Sequence, residues 1–197
     1  MLVLIGKFVM SCRTVHFPIH HMPSESTSRN SPRKRQTLIQ NHLLKERHPM
    51  IITPIQVHQS EQAKNVILSG FLERFGFIDH TLNPDIHDIS TEYDGTQHHF
   101  FVGKENENII CTGAIRKESE NTYQIVRMSV LSPYRKRGLG RIMLQHLEGK
   151  AHSLGAQRLV LETNKQWADA IRFYKNNGFT YMEEDEVSCY FEKEIPL

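Results

Sequence analysis

At 197 residues, with 39% hydrophobic and 23% charged side chains, the chain has material for one well-buried domain and a short appendage. No apolar run approaches the roughly 20 residues of a membrane-crossing helix, and the apolar opening Leu2 to Met10 lacks the basic start and cleavage site of a secretory signal. The net charge of +2 is uneven: residues 1–49 hold eight Lys/Arg against Glu25 and Glu46, while the remainder is mildly acidic, which argues against a nucleic-acid-binding body.

Residues 1–49 read as a basic, disordered leader or extension, with a Ser/Pro/Arg/Lys-rich centre from Met22 to Arg35 and a short basic helix from Gln36 to His48. Three roles suit it: an organelle-targeting peptide, a tether to an anionic surface, or an extension outside the fold. Cys12, Cys111 and Cys189 are odd in number and widely spaced, which suits free thiols in a reducing compartment and a cytoplasmic location. The twelve histidines show no metal-ligand spacing, so no metal is expected.

The domain is expected over 50–197. Met50 to Val57 reads as an edge strand interrupted by Pro54. Ser60 then caps a helix whose face is Ala63, Val66, Ile67, Gly70 and Phe71. Gly76 to Gly95 is turn-rich and acidic, with a short helix after Pro84. Three strands follow at His98 to Gly103, Asn108 to Lys117 and Thr122 to Leu131, joined by polar turns. A helix beginning near Gly138 carries Met143, Leu144, Leu147, Ala151 and Leu154 on one face and stops at Gly155. Gln157 to Thr163 is a strand, Gln166 to Asn176 a helix, and Thr180 to Glu184 with Val187 to Glu194 a closing strand pair. The order implies an α/β (α+β mixed) fold, with a mixed sheet flanked by helices.

The chemistry concentrates in Ile125 to Leu144, IVRMSVLSPYRKRGLGRIML. A strand runs into a loop whose glycines, Gly138 and Gly140, fall where a helix begins. Glycine lets main chain approach a ligand without a Cβ in between, and the first N–H groups of a helix are unpaired donors at its positive end. With Arg135, Lys136, Arg137 and Arg141 at the same mouth, the site suits an anion as large as a pyrophosphate. The alternative is an ordinary turn before a surface helix. A dinucleotide fingerprint is excluded, because position 143 is Met, and so is a phosphate loop of the GxxxxGK type.

Arg135-x-x-Gly138-x-Gly140 after this strand resembles the R/Q-x-x-G-x-G/A motif of the GCN5-related N-acetyltransferase (GNAT) superfamily. Leu161-Glu162-Thr163-Asn164, Ala170-Ile171-Arg172-Phe173-Tyr174 and Asn177-Gly178-Phe179 resemble its second strand–helix unit. The resemblance covers roughly Met50 to Ile195. It implies a mostly antiparallel sheet of about seven strands with about four helices, acetyl-CoA as cosubstrate, and acetyl transfer to a primary amine of a small molecule or peptide. It implies no membrane partner and a monomer or homodimer.

By the same resemblance, main-chain amides of Lys136, Arg137, Gly138, Leu139, Gly140 and Arg141 cradle the pyrophosphate, with the Arg135 and Arg137 side chains nearby. The main chain of Met128 and Val130 pairs with the pantetheine arm, and the Met128 or Ser129 region polarises the thioester carbonyl. Tyr174 is the general acid at the departing sulfur, and Glu162 the base for the amine. Tyr174 also suits a core position with a satisfied hydroxyl, and Glu162 a solvated strand end. The family's asparagine seven residues before the tyrosine is here Trp167, which leaves Asn164 as the nearest substitute. A non-catalytic acyl-CoA-binding sensor is the alternative function. Two features address the acceptor: an acidic rim of Asp79, Asp85, Asp88, Glu92 and Asp94 would draw a cation, whereas Arg127 would draw a carboxylate.

Overall fold

The computed structural model describes residues 49–79 and 81–196; the expected leader, with Cys12 and the helix from Gln36 to His48, lies outside the described residues. The described chain runs β1 (Ile51–Pro54), α1 (Ser60–Phe75), a single-turn α2 (Ile89–Glu92), β2 (His98–Glu105), β3 (Asn108–Lys117), β4 (Thr122–Val130), α3 (Leu139–Ser153), β5 (Arg158–Asn164), α4 (Ala168–Asn176), β6 (Thr180–Glu184) and β7 (Ser188–Glu194). These form one seven-stranded sheet in the order β1-β2-β3-β4-β5-β7-β6. Only the β4–β5 pair is parallel. This is the mixed, mostly antiparallel architecture expected from the sequence. None of the described helices is long and apolar enough to cross a membrane.

The two-residue alternation of β2 and β3 divides the core between the sheet faces. Phe100, Val102 and Ala114 pack with Ala63, Val66 and Ile67 of α1. Phe101 and Ile115 pack with Met143, Leu144 and Leu147 of α3 on the other face. Each fully buried side chain of this kind contributes about 1.5–3 kcal/mol, so helices on both faces hold the central strands flat between them.

Three local expectations need correction. Ser60 is the first residue of α1 rather than its cap. A 3₁₀ turn over Val57–Gln59 feeds the helix, Gln59 occupies the cap, and the Ser60 hydroxyl is buried without a partner. The opening strand ends at Pro54, three residues early. Helix α4 starts at Ala168, not Gln166, because Asn164 Oδ1 accepts from Gln166 N at 2.9 Å and turns the chain first.

The feature that creates the site is a divergence within the sheet. β4 pairs with β5 only where Thr122 to Ile125 lies beside Arg158 to Leu161. Beyond that point β4 stays with β3 and β5 stays with β7. A bulge where the β3–β4 register shifts coincides with Arg127, which takes φ 56°. Its guanidinium is held by Asp85: Nε donates to Oδ2 at 2.7 Å and Nη2 donates to Oδ1. Asn83 Oδ1 accepts from Nη1 at 2.8 Å, and the Tyr93 hydroxyl donates to Asp85 Oδ2 at 2.7 Å.

Burial works against the charged form of Asp85, but the Arg127 hydrogen bonds and charge, joined by Tyr93, outweigh it and hold the carboxyl below its ordinary value. Replacing Asp85 by Ala leaves a buried guanidinium without its counter-ion, and we expect a loss of about 3–5 kcal/mol in urea unfolding. Because the folded pKa is depressed, this contribution is fully present above the ordinary carboxylate value of 3.8 and disappears as pH falls through the lower folded value. Stability of Asp85→Ala is therefore expected to fall less steeply than wild type in that acid range.

Candidate active site

Where β4 and β5 part, a cleft of about 350 Å³ opens between the sheet, α1 and α4. Ile125 to Val130 line one wall and Glu162 to Asn164 the other, with Trp167 just before α4, Ala170 and Tyr174 from α4, and Arg74 and Phe75 from the end of α1. Arg74 bridges the two helices, donating to both oxygens of Asp169 at 3.0 and 2.9 Å while its guanidinium lies 4.4 Å from the Trp167 ring centroid.

Leu131 N donates to Ile110 O, so that edge of β4 faces β3. Main-chain groups alternate along a strand, so Met128 and Val130 direct theirs toward the gap. The Val130 carbonyl is taken there by Arg135 Nε at 2.8 Å. Ser129 turns its hydroxyl to α1 and donates to Val66 O at 3.1 Å.

After Val130 the chain makes a 3₁₀ turn and enters the loop before α3. Lys136 and Gly138 both adopt left-handed backbone, φ 59° and 81°. Arg135 N donates to Ser132 O and Ile142 N opens the helical ladder on Gly138 O. Between them, the six N–H groups of Lys136, Arg137, Gly138, Leu139, Gly140 and Arg141 donate to nothing among the described residues. That run of donors leads into the start of a 15-residue helix, where the dipole adds to their attraction for an anion.

The two glycines serve different ends. Gly138 supplies the left-handed turn. At Gly140 the backbone is ordinary, and a Cβ would meet Phe173 at 3.7 Å and Val130 at 3.8 Å, both normal contacts. Nothing inside the protein requires glycine at 140, and a residue this small leaves the main chain open to a ligand.

The basic side chains of the loop divide. Arg135 is committed to Glu73 at 2.5 Å as well as to Val130 O. Arg137 donates to Glu105 at 2.6 Å and lies over Tyr134. Both therefore brace the loop from within. Lys136 and Arg141 are exposed, with no such bonds.

Tyr174 is 9% exposed, and its ring packs against Phe173 and Phe179 at 5.2 and 5.8 Å. Its hydroxyl has no hydrogen-bond partner among the described residues, so this is not a core tyrosine with a satisfied phenol. Burial pushes its pKa up to about 12, which keeps it protonated at neutral pH. Across the cleft Glu162 is half-buried, and Ser188 Oγ donates to its Oε1 at 2.6 Å. Asn164 lines the same wall, but its Oδ1 is spent on the turn into α4.

Both acceptor features read from the sequence are corrected. Arg127 is not open to a ligand carboxylate, because Asp85 and Asn83 hold it. Of the acidic stretch only Asp85 is buried and neutralised, by Arg127; Asp79, Asp88, Glu92 and Asp94 are exposed and none of them lines the cleft, so they do not form its rim. Residues absent from the sequence reading also line the cleft, notably Arg74, Phe75, Arg116 and Gln124. The first two end a helix with no motif of its own. Arg116 and Gln124 were detectable as polar residues on a strand face otherwise apolar.

A family model described as the acetyltransferase (GNAT) family matches residues 64–179. A Xenopus tropicalis protein named "Probable N-acetyltransferase 14" is 32% identical over 100 residues, 49% of this chain and 48% of that protein, so the match spans about half of that relative. An acetyltransferase of the GNAT family from Staphylococcus aureus Mu50 superposes with a TM-score of 0.68 at 22% identity, over 74% of this chain and 99% of that one. The PaiA N-acetyltransferase of Thermoplasma acidophilum, solved in complex with coenzyme A, gives 0.66 at 14% identity, over 75% and 99%. At these identities the likeness to the solved structures is one of fold, and together with the matched family model it places the chain: it belongs to the acetyltransferase (GNAT) family.

Proposed function

We propose that this chain is an N-acetyltransferase that uses acetyl-CoA and acetylates a primary amine by direct attack. The single observation that carries the reading is the run of six unpartnered N–H groups from Lys136 to Arg141 beside an opened strand edge. Such donors fit a pyrophosphate, and Gly140 leaves the space a Cβ would fill. Bound there, acetyl-CoA supplies an activated acyl thioester.

The remaining work falls to this chain's residues. Met128 and Val130 direct main-chain groups into the gap, where an extended amide arm pairs as a strand would, and fixed N–H donors there favour negative charge on a carbonyl oxygen. Glu162, oriented by Ser188, takes a proton from the attacking amine, directly or through water. Tyr174 points an unshared hydroxyl into the cleft and donates to the departing sulfur. Since its pKa is about 12 and an ordinary thiol titrates near 8.5, it acts chiefly by donating a hydrogen bond, with full proton transfer uphill.

Three outcomes test the reading. Tyr174→Phe is expected to lower kcat about tenfold or more in a thiol-release assay, with coenzyme A affinity by calorimetry unchanged; unchanged kcat would favour an acyl-CoA-binding sensor. Glu162→Gln is expected to lose activity most at neutral pH and to recover as pH rises toward the amine's own pKa, about 10. Gly140→Glu, larger than the glycine or alanine the motif admits and of the pyrophosphate's own charge, is expected to keep the fold, since glutamate is a better helix former than glycine by about 0.5 kcal/mol, yet to bind coenzyme A about tenfold or more weakly. Gly138→Ala, in contrast, is expected to cost about 1 kcal/mol of stability through its left-handed backbone.

A further inference from the structure

Four arginines line the cleft: Arg74, Arg116, Arg127 and Arg135. Three are neutralised within the protein, by Asp169, Asp85 and Glu73 respectively. Arg116 makes no hydrogen bond and no ion pair among the described residues, although it is half-buried. Asp85 acts on this guanidinium through space without touching it, so its N–H donors stay open to a ligand anion.

Its surroundings indicate what that is. Arg116 on β3 stands beside Gln124 on β4 in register. Two residues along each strand on the same face, Ala114 and Val126 belong to the apolar core beneath α1. That face thus changes from apolar to polar within one step. Gln124 is in turn in register with Val160 on β5, and Glu162, two residues further, shares the face. Glu162 is the only carboxylate among the cleft residues. The floor therefore presents one open cation and one carboxylate on opposite sides of β4. Strand spacing and rise put their Cα atoms roughly 12 Å apart, and both side chains extend into the cleft between. An amine facing Glu162 then has room for an anion a few atoms away, facing Arg116.

We infer that the acceptor is an amino acid or similarly small amine bearing a carboxylate, which Arg116 and Gln124 anchor while Glu162 receives the amino group. Arg116 supplies two parallel N–H donors suited to a carboxylate, and the Gln124 amide adds a donor beside them. This assignment rests on the acyltransferase reading for the role of Glu162, but the anchoring itself is a binding property and is measurable without turnover.

The test pairs amino acids with their decarboxylated amines, such as lysine with cadaverine and phenylalanine with phenethylamine, on protein saturated with coenzyme A. Binding is read by thermal shift and calorimetry, with thiol release from acetyl-CoA measured alongside. For wild type, at least one amino acid is expected to bind about tenfold or more tightly than its amine. Arg116→Gln is expected to erase that preference while keeping coenzyme A affinity and amine binding, and Arg116→Lys to retain part of it. Equal binding of amino acid and amine by wild type, or an undiminished preference in Arg116→Gln, overturns the inference. Carboxylate-selective binding without thiol release supports the anchor and overturns the acyl-transfer reading instead.

Discussion

The structure turns on a single imbalance of hydrogen bonding: six successive main-chain N–H groups, from Lys136 to Arg141, that the protein itself does not use. Helix starts always leave a few donors open. Here the two left-handed residues of the loop extend the run backward from the helix, and Gly140 keeps its surface bare. The neighbouring strands repeat the pattern on a larger scale, since β4 and β5 separate after four paired residues and leave strand edges without a partner. Lys136, Gly138 and Arg141 of the loop run are exposed, so water serves such donors until an anion displaces it. A long ligand with a pyrophosphate at one end and an extended amide arm satisfies both imbalances at once.

Around this opening the charged side chains chiefly build the frame. Asp85 fixes the bulge through Arg127, Glu73 fastens the loop to α1 through Arg135, Glu105 holds Arg137, and Asp169 joins α4 to α1 through Arg74. These pairs set where the strands part and how the loop curls, so they act on the site through geometry. Among the groups left with open hydrogen-bonding capacity in the cleft are the Tyr174 hydroxyl, the Glu162 carboxylate, the Arg116 guanidinium and the Gln124 amide. Their placement is what gives the cleft chemical direction.

Much of this was legible in the residues alone. The nearly unbroken apolar run in Asn108–Lys117, buried on both faces, and the helical face of Met143, Leu144 and Leu147 produce the elements they suggest, because each pattern matches the surface it must bury. The Arg135-to-Gly140 segment was legible for a similar reason: glycine at a strand–helix junction has few other uses. What sequence did not disclose is pairing at a distance. Arg127 looked like an open cation until the 42-residue separation to Asp85 closed in space, and the acidic stretch looked like the rim of a cleft that its exposed carboxylates do not in fact line. Arg116, by contrast, stands out as a polar residue on a largely apolar strand, and its place in the cleft appears only once the strands and α1 are assembled.

The central claim concerns main-chain hydrogens, so amide hydrogen exchange measures it most directly. With saturating coenzyme A, exchange is predicted to slow sharply at Lys136 through Arg141 and, along β4, at Met128 and Val130, with little change elsewhere on α3. If coenzyme A binds and those amides exchange as fast as in its absence, the ligand does not rest on this main chain, and the account of the site fails.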